Sequence, residues 1–189
     1  AKILARAMSQ QDYEELQADI DAATDWSNRW LLRFNVEKCK AMHVGLGDNR
    51  SKHEYTMCDE RGVRRTLETT RVERDLGVLQ SDDLRLEAQC RAAAAKARWK
   101  FGALKQVLTS RSPAMWQILW KAHIRPHLEH AIPAWSPYLK SDIAILERVQ
   151  RAVTKYIGGM KGLNYEQRLE KLGLTTLEER RVRGDLIFT

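Results

Sequence analysis

Two groups of residues in this chain have the types and spacing to act on a phosphate. Asn35, Lys38 and Lys40 crowd into six positions shortly after the tryptophan-rich stretch Trp26-Ser27-Asn28-Arg29-Trp30. A turn built this way offers amide and ammonium donors to a phosphate, although a solvated loop uses the same residues. Further on, Arg91, Arg98 and Lys105 recur every seven residues, with Lys96 and Lys100 nearby and Glu87 as the one neighbouring acid. At helical pitch this spacing makes a cationic ridge, suited to a phosphodiester backbone and sensitive to salt. Trp99 lies within it and is open to two readings: a platform for a sugar or base, or a core residue at the edge of the buried stripe.

Other clusters do less. Cys39, His43, His53 and Cys58 bring together two cysteines and two histidines, but no Cys-x2-Cys is present and the second pair has none of the usual finger spacings. They read as strand and loop residues, and no metal ligand set is expected. Glu14, Glu15, Asp19, Asp21 and Asp25 line one helix, whereas metal carboxylates converge from several elements, so they read as a solvated face. Asp82-Asp83 precedes a helix start, where acidic residues suit the helix dipole. His123, His127 and His130 lose a common register at Pro126, which favours packing or solvent exposure over a metal face.

The elements that must position these residues follow from periodicity and capping. Ser9 with Asp12 opens a helix in which Tyr13, Leu16, Ile20 and Ala23 share a face as far as Trp30. After Gly45 a polar loop leads to a short strand at Tyr55 to Cys58, a turn at Asp59 to Gly62, and thus a hairpin. Leu86, Cys90, Ala94, Ala97, Phe101, Leu104 and Leu108 step by three and four, which predicts one long helix with a single buried stripe. Ser112-Pro113 starts the next helix, with serine as cap, and Trp116 and Trp120 read as core. Pro126 splits that element near Arg125. Ser141 opens a helix ending at Gly158-Gly159, and two capping boxes, Asn164 with Gln167 and Thr176 with Glu179, start two short helices.

Composition narrows the class. A chain of 189 residues with 43% apolar and 30% charged residues has the balance of a soluble globular protein. No apolar run approaches the roughly 20 residues that span a bilayer, so no membrane partner is expected. Three cysteines without a pairing pattern suit a reducing, intracellular compartment and free thiols. The net charge of +7 is uneven: residues 1–86 hold 14 Lys/Arg and 16 Asp/Glu, and residues 87–189 hold 18 and 9. An excess confined to one half points to a polyanion, most often nucleic acid.

The stretch Trp26 to Gly45 resembles the motif D region of reverse transcriptases of non-LTR (LINE-type, jockey-like) retrotransposons, where a Trp-rich helix runs into a Leu/Phe-Asn-x-x-Lys-Cys/Thr turn. Five further matches keep the family's order: Asp75-Leu76-Gly77-Val78, Arg125-Pro126-His127-Leu128-Glu129, Trp135-Ser136-Pro137, Leu146 to Ala152 and Arg180 to Leu186. The resemblance spans essentially the whole chain. It implies an α+β fold: residues 1–84 as the C-terminal part of the palm, a helix with short antiparallel strands; 85–158 as a helical thumb; and 159–189 as a helical C-terminal extension. It implies an RNA-directed DNA polymerase using Mg2+, with an RNA template and DNA primer as partners, inside a ribonucleoprotein of nucleus and cytoplasm.

By the same resemblance, the paired aspartates that hold two metal ions belong to a segment preceding Ala1, together with the rest of the palm and the fingers. The chain alone is therefore expected to bind no metal and to be inactive. Lys38, with Lys40 as second choice, is implied to neutralise and protonate the leaving pyrophosphate. Leu76, Gly77 and Val78 are implied to form the primer grip, where Gly77 lets the backbone pass close to a strand. Arg91, Lys96, Arg98, Trp99, Lys100 and Lys105 would hold the RNA/DNA hybrid. Two other readings of the residues stay open: a non-catalytic nucleic-acid-binding module, and a helical protein-interaction surface whose basic charge only aids solubility.

Overall fold

The capping box at Ser9 forms as its sequence demands. The Ser9 hydroxyl accepts from the Asp12 amide, the Asp12 carboxylate accepts from the amides of Met8 and Ser9, and α1 runs from Gln10–Arg29. This geometry comes from a computed structural model, which describes residues 2–45 and 53–188. Most of the polar loop expected after Gly45 lies outside the described residues. The chain is mixed helix and sheet, with its strands short and paired in twos. It divides into two compact units, residues 1–73 with 81–84, and residues 74–80 with 85–189.

In the first unit α1 is followed by a 3-10 turn at Val36–Lys38, then β1 (Lys40–Ala41), β2 (Thr56–Cys58), β3 (Arg64–Thr66) and β4 (Glu68–Thr69). The expected hairpin is β2 with β3, antiparallel, registering Met57 on Arg65. Asp59 closes its turn by accepting from the amides of Arg61 and Val63, and from Arg65 Nε at 2.8 Å. Those bonds, Arg65 foremost, hold the Asp59 carboxyl below its ordinary pKa. β1 pairs with β4 in parallel, setting Lys40 opposite Glu68. The core here is small: Ile20, Tyr55, Met57 and Leu67. Trp26 and Trp30 lie outside it and are exposed, as are Leu31 and Leu32.

A second hairpin is formed by β5 (Val72–Asp75) and β6 (Val78–Ser81), most of whose residues belong to the second unit. Only Leu76 and Gly77 separate its strands, and both have positive φ, +47° and +89°. Two left-handed residues in a two-residue loop are the signature of a type I′ turn, whose twist matches that of the strands.

The second unit is built on α2 (Glu87–Val107) and α6 (Lys140–Tyr156), which pack together. The predicted stripe is the buried one: Cys90, Ala94 and Ala97 are fully enclosed, with Leu86, Phe101 and Leu104 partly so. Small residues let α6 approach closely with Leu146, Val149 and Val153. Trp116, Trp120 and Trp135 complete the core, each burying an area of roughly 150–250 Å², on the order of 4–6 kcal/mol apiece. Trp116 and Trp135 donate their indole N–H groups to the carbonyls of Ser110 and His130.

The split near Arg125 has a definite form. α3 (Pro113–Leu119) runs into a π turn, Trp120–Ile124, and then α4 (Pro126–Glu129). Pro126 lacks an N–H and its ring collides with the carbonyl four residues back, so the chain widens by one residue and Arg125 N bonds Trp120 O at 2.9 Å. Ser112 departs from expectation, since its hydroxyl caps nothing while Pro113 does open the helix. α5 (Ile132–Trp135), α7 (Tyr165–Lys171) and α8 (Leu177–Phe188) finish the unit. Both predicted capping boxes form, at Asn164 with Gln167 and at Thr176 with Glu179.

Candidate nucleic-acid interface

The cationic residues of α2 do not form one ridge. At about 100° per residue, Arg91, Arg98 and Lys105 fall on one line, while Lys96 and Lys100 fall roughly half a turn away. Between the two rows, directly opposite the buried stripe, stands Trp99, 73% exposed. Its neighbours on that strip, Ala92, Ala95 and Ala103, are small. The outer side of α2 is thus a flat strip with one protruding indole, bordered on each side by positive charge. Of the two readings of Trp99, the core one is ruled out.

The rows differ in how free they are. Arg91 donates from Nε to Glu87 Oε1 at 2.8 Å, an exposed i,i+4 pair that a phosphate could displace at little cost. Lys105 is held more firmly, its ammonium 4.8 Å from the ring centre of Tyr156 and 5.3 Å from that of Phe101. Lys96, Arg98 and Lys100 have no hydrogen-bond or ion-pair partner among the described residues. These three are the available cations.

The hairpin tip falls beside α2 within the second unit. Gly77 lines a small hollow together with Arg74, Gln89, Lys96, His127 and His130, with no carboxylate in its wall. Gln89 Oε1 accepts from the Leu79 amide at 2.9 Å, tying the hairpin to α2. Leu76 projects at the tip, 93% exposed, and Val78 turns into the core. Of the three residues implied as a primer grip, then, one is outward, one is turn backbone and one is structural. Arg74, Gln89, His127 and His130 were not singled out as binding residues in the sequence. Spacing could not have found them, because they come from three separate elements.

Lys38 and Lys40 belong to the first unit. Asn35 caps the 3-10 turn, its side-chain oxygen accepting from the Lys38 amide at 3.3 Å, so Lys38 leaves the turn exposed. Lys40 is ion-paired with Glu68, its neighbour in the β1–β4 register. Lys38 is therefore the freer ammonium. Both border a hollow of about 500 Å³ with an apolar floor of Leu16, Ile20, Met57 and Leu67.

No three His, Cys, Asp or Glu side chains converge on a possible metal position among the described residues. Asp83 accepts a hydrogen bond from Ser81 Oγ at 2.6 Å in the turn that follows β6. Among the described residues no set of oxygen donors is gathered that would fit a pair of Mg2+ ions. No helix among the described residues is long and apolar enough to cross a membrane. No protein-family model, curated protein or solved structure matches this chain.

Proposed function

We propose that this chain is the part of an RNA-directed DNA polymerase, of the non-LTR retrotransposon kind, that holds the template and primer. The observation that carries the reading is the outer side of α2, where Lys96, Arg98 and Lys100 stand unpaired among the described residues around an exposed Trp99. An α-helix with its side chains is about 10–12 Å across, so its two cationic rows are spaced to meet phosphates on either side of a groove. A flat strip between them permits close approach, and the indole supplies a stacking surface that reads no sequence. The basic half of the chain coincides with this unit, which adds long-range attraction for a polyanion.

In this reading residues 1–84 act as the end of the palm, 85–158 as the thumb and 159–189 as the extension. Lys38 is the residue that meets the leaving pyrophosphate, because its ammonium is exposed while that of Lys40 is engaged by Glu68. The Leu76-Gly77 tip lies against the primer backbone. In this reading the chain contributes grip on template and primer, and the metal-holding carboxylates of polymerisation are supplied from elsewhere.

Fluorescence anisotropy with a labelled RNA/DNA hybrid tests the reading. Binding is expected at low salt, weakening steeply as salt rises, and the Lys96→Ala/Arg98→Ala/Lys100→Ala variant should lose at least tenfold in affinity while melting normally. Absence of binding at 50 mM salt, or equal binding by the triple variant, overturns it.

A further inference from the structure

Away from the outer side of α2, the second unit has a half-open cavity of about 370 Å³ in which four cationic side chains share the wall with Trp120, Gln150, Gly173, Leu174 and Thr175. Lys121 enters from the π turn, Arg125 from the residue after it, Gln150 from α6, Thr175 from the loop before α8, and Arg180 and Arg183 from α8. Among the described residues, one carboxylate pairs with this set. Glu129 accepts from Arg180 Nε at 2.6 Å and Nη2 at 3.2 Å, and lies 3.3 Å from Arg125 Nε. Lys121 and Arg183 have no ion-pair partner among the described residues.

Arg125 is the informative member. Its Nε is buried yet makes no hydrogen bond among the described residues, because the approach to Glu129 lacks the alignment for one. A buried guanidinium N–H without an acceptor costs free energy that a ligand oxygen can recover. Burial and the nearby Arg180 depress the Arg125 pKa, and Glu129 offsets this only in part. A second anion at this point would relieve the same imbalance. The local backbone is unusual too, since π turns inside helices concentrate at ligand sites.

We propose that this cavity binds a nucleotide-sized phosphate monoester, either a free nucleotide or the phosphorylated 5′ end of a strand. Several guanidinium forks around one point match the multiple acceptor oxygens of a phosphate better than the two of a carboxylate. The volume exceeds a bare phosphate and falls in the range of small-ligand pockets. Gln150 and Thr175 lie within the wall as uncharged polar residues. This site is separate from the α2 surface and does not depend on the hybrid-binding reading.

Calorimetry of the full chain with AMP and adenosine tests it, alongside anisotropy with a decanucleotide bearing a 5′-phosphate or a 5′-hydroxyl. AMP is expected to bind at least tenfold more tightly than adenosine, or the phosphorylated strand more tightly than its hydroxyl counterpart; the first result alone identifies a free nucleotide, the second alone a strand end. Lys121→Ala/Arg183→Ala, at two exposed positions, should abolish that preference without changing the melt. The Lys96→Ala/Arg98→Ala/Lys100→Ala variant should retain it. No preference for phosphate in either assay, a preference that survives loss of Lys121 and Arg183, or one that vanishes with the α2 variant, overturns the assignment.

Discussion

A side chain at Gly77 would place its first carbon 3.3 Å from Nε2 of His130. The tip of the β5–β6 hairpin and the end of α4 are therefore in contact at a spot where only hydrogen fits comfortably. Gly77 also has φ of +89°, a backbone setting that L side chains resist.

Gly77→Ala accordingly meets two penalties, one from backbone and one from the imidazole. Together they should cost about 1–3 kcal/mol, read from urea denaturation. Adding His130→Ala should restore part of the loss, since it removes the contact and leaves the φ strain. If the double variant is no more stable than Gly77→Ala alone, the contact with His130 contributes nothing.

Trp99 offers a cleaner separation of binding from folding. As an exposed residue it can be replaced with a stability change of no more than about 0.5 kcal/mol. Trp99→Ala should nevertheless weaken hybrid binding by about 1–3 kcal/mol, and Trp99→Phe by less. Identical affinity for wild type and Trp99→Ala would remove the indole from the interface.

Glu147 is buried on α6 and accepts a hydrogen bond from the Tyr165 hydroxyl and another, at 3.2 Å, from the Leu177 amide. Burial, reinforced by Glu147, pushes the Tyr165 hydroxyl pKa well up. Removing the carboxylate strands both donors beside Arg181, whose Nη2 is already buried without a partner among the described residues. Glu147→Ala should lower stability by about 3 kcal/mol, and Glu147→Gln by less, measured as a shift in thermal midpoint.

Cys90 links this unit to alkaline pH. Burial first, and then nearby Asp142, push its thiol from the ordinary 9.0 up to about 12. Between these values the unfolded chain has released the proton and the folded chain has kept it, so stability falls as pH rises through that window. The slope from this one group approaches about 1.4 kcal/mol per pH unit, and Tyr165 adds to it at the upper end. Denaturation midpoints at pH 8.5, 9.5 and 10.5 should decline progressively, and Cys90→Ala should flatten the early part of that decline. A midpoint independent of pH across this range would contradict the assignment.

Features set by near neighbours in the chain were legible in the amino-acid sequence. The three- and four-residue steps from Leu86 to Leu108 identify the buried side of α2, because the angle between residues on a helix depends only on their separation. The capping boxes at Ser9, Asn164 and Thr176 pair groups three residues apart, and Pro126 widens its helix through its own ring. Ser112 shows the limit of such reading, since a suitable residue type before proline does not oblige the hydroxyl to cap.

Features set by distant partners were not. The two cationic rows of α2 follow from helical angle, but Trp99 between them is 73% exposed because the rest of the core packs on the opposite side of the helix. Lys38 and Lys40 are indistinguishable as residue types, yet strand pairing brings Glu68 to Lys40 from 28 positions away and leaves Lys38 exposed. Six tryptophans are alike in the sequence, but Trp116, Trp120 and Trp135 are enclosed while Trp26, Trp30 and Trp99 face outward. The sequence by itself determined the long helices, the three capping boxes and the direction each side chain takes from its own axis. Which of those directions ends in protein, in an ion pair or in open solvent was decided only by tertiary structure, because burial and pairing depend on what the rest of the chain brings to the same place.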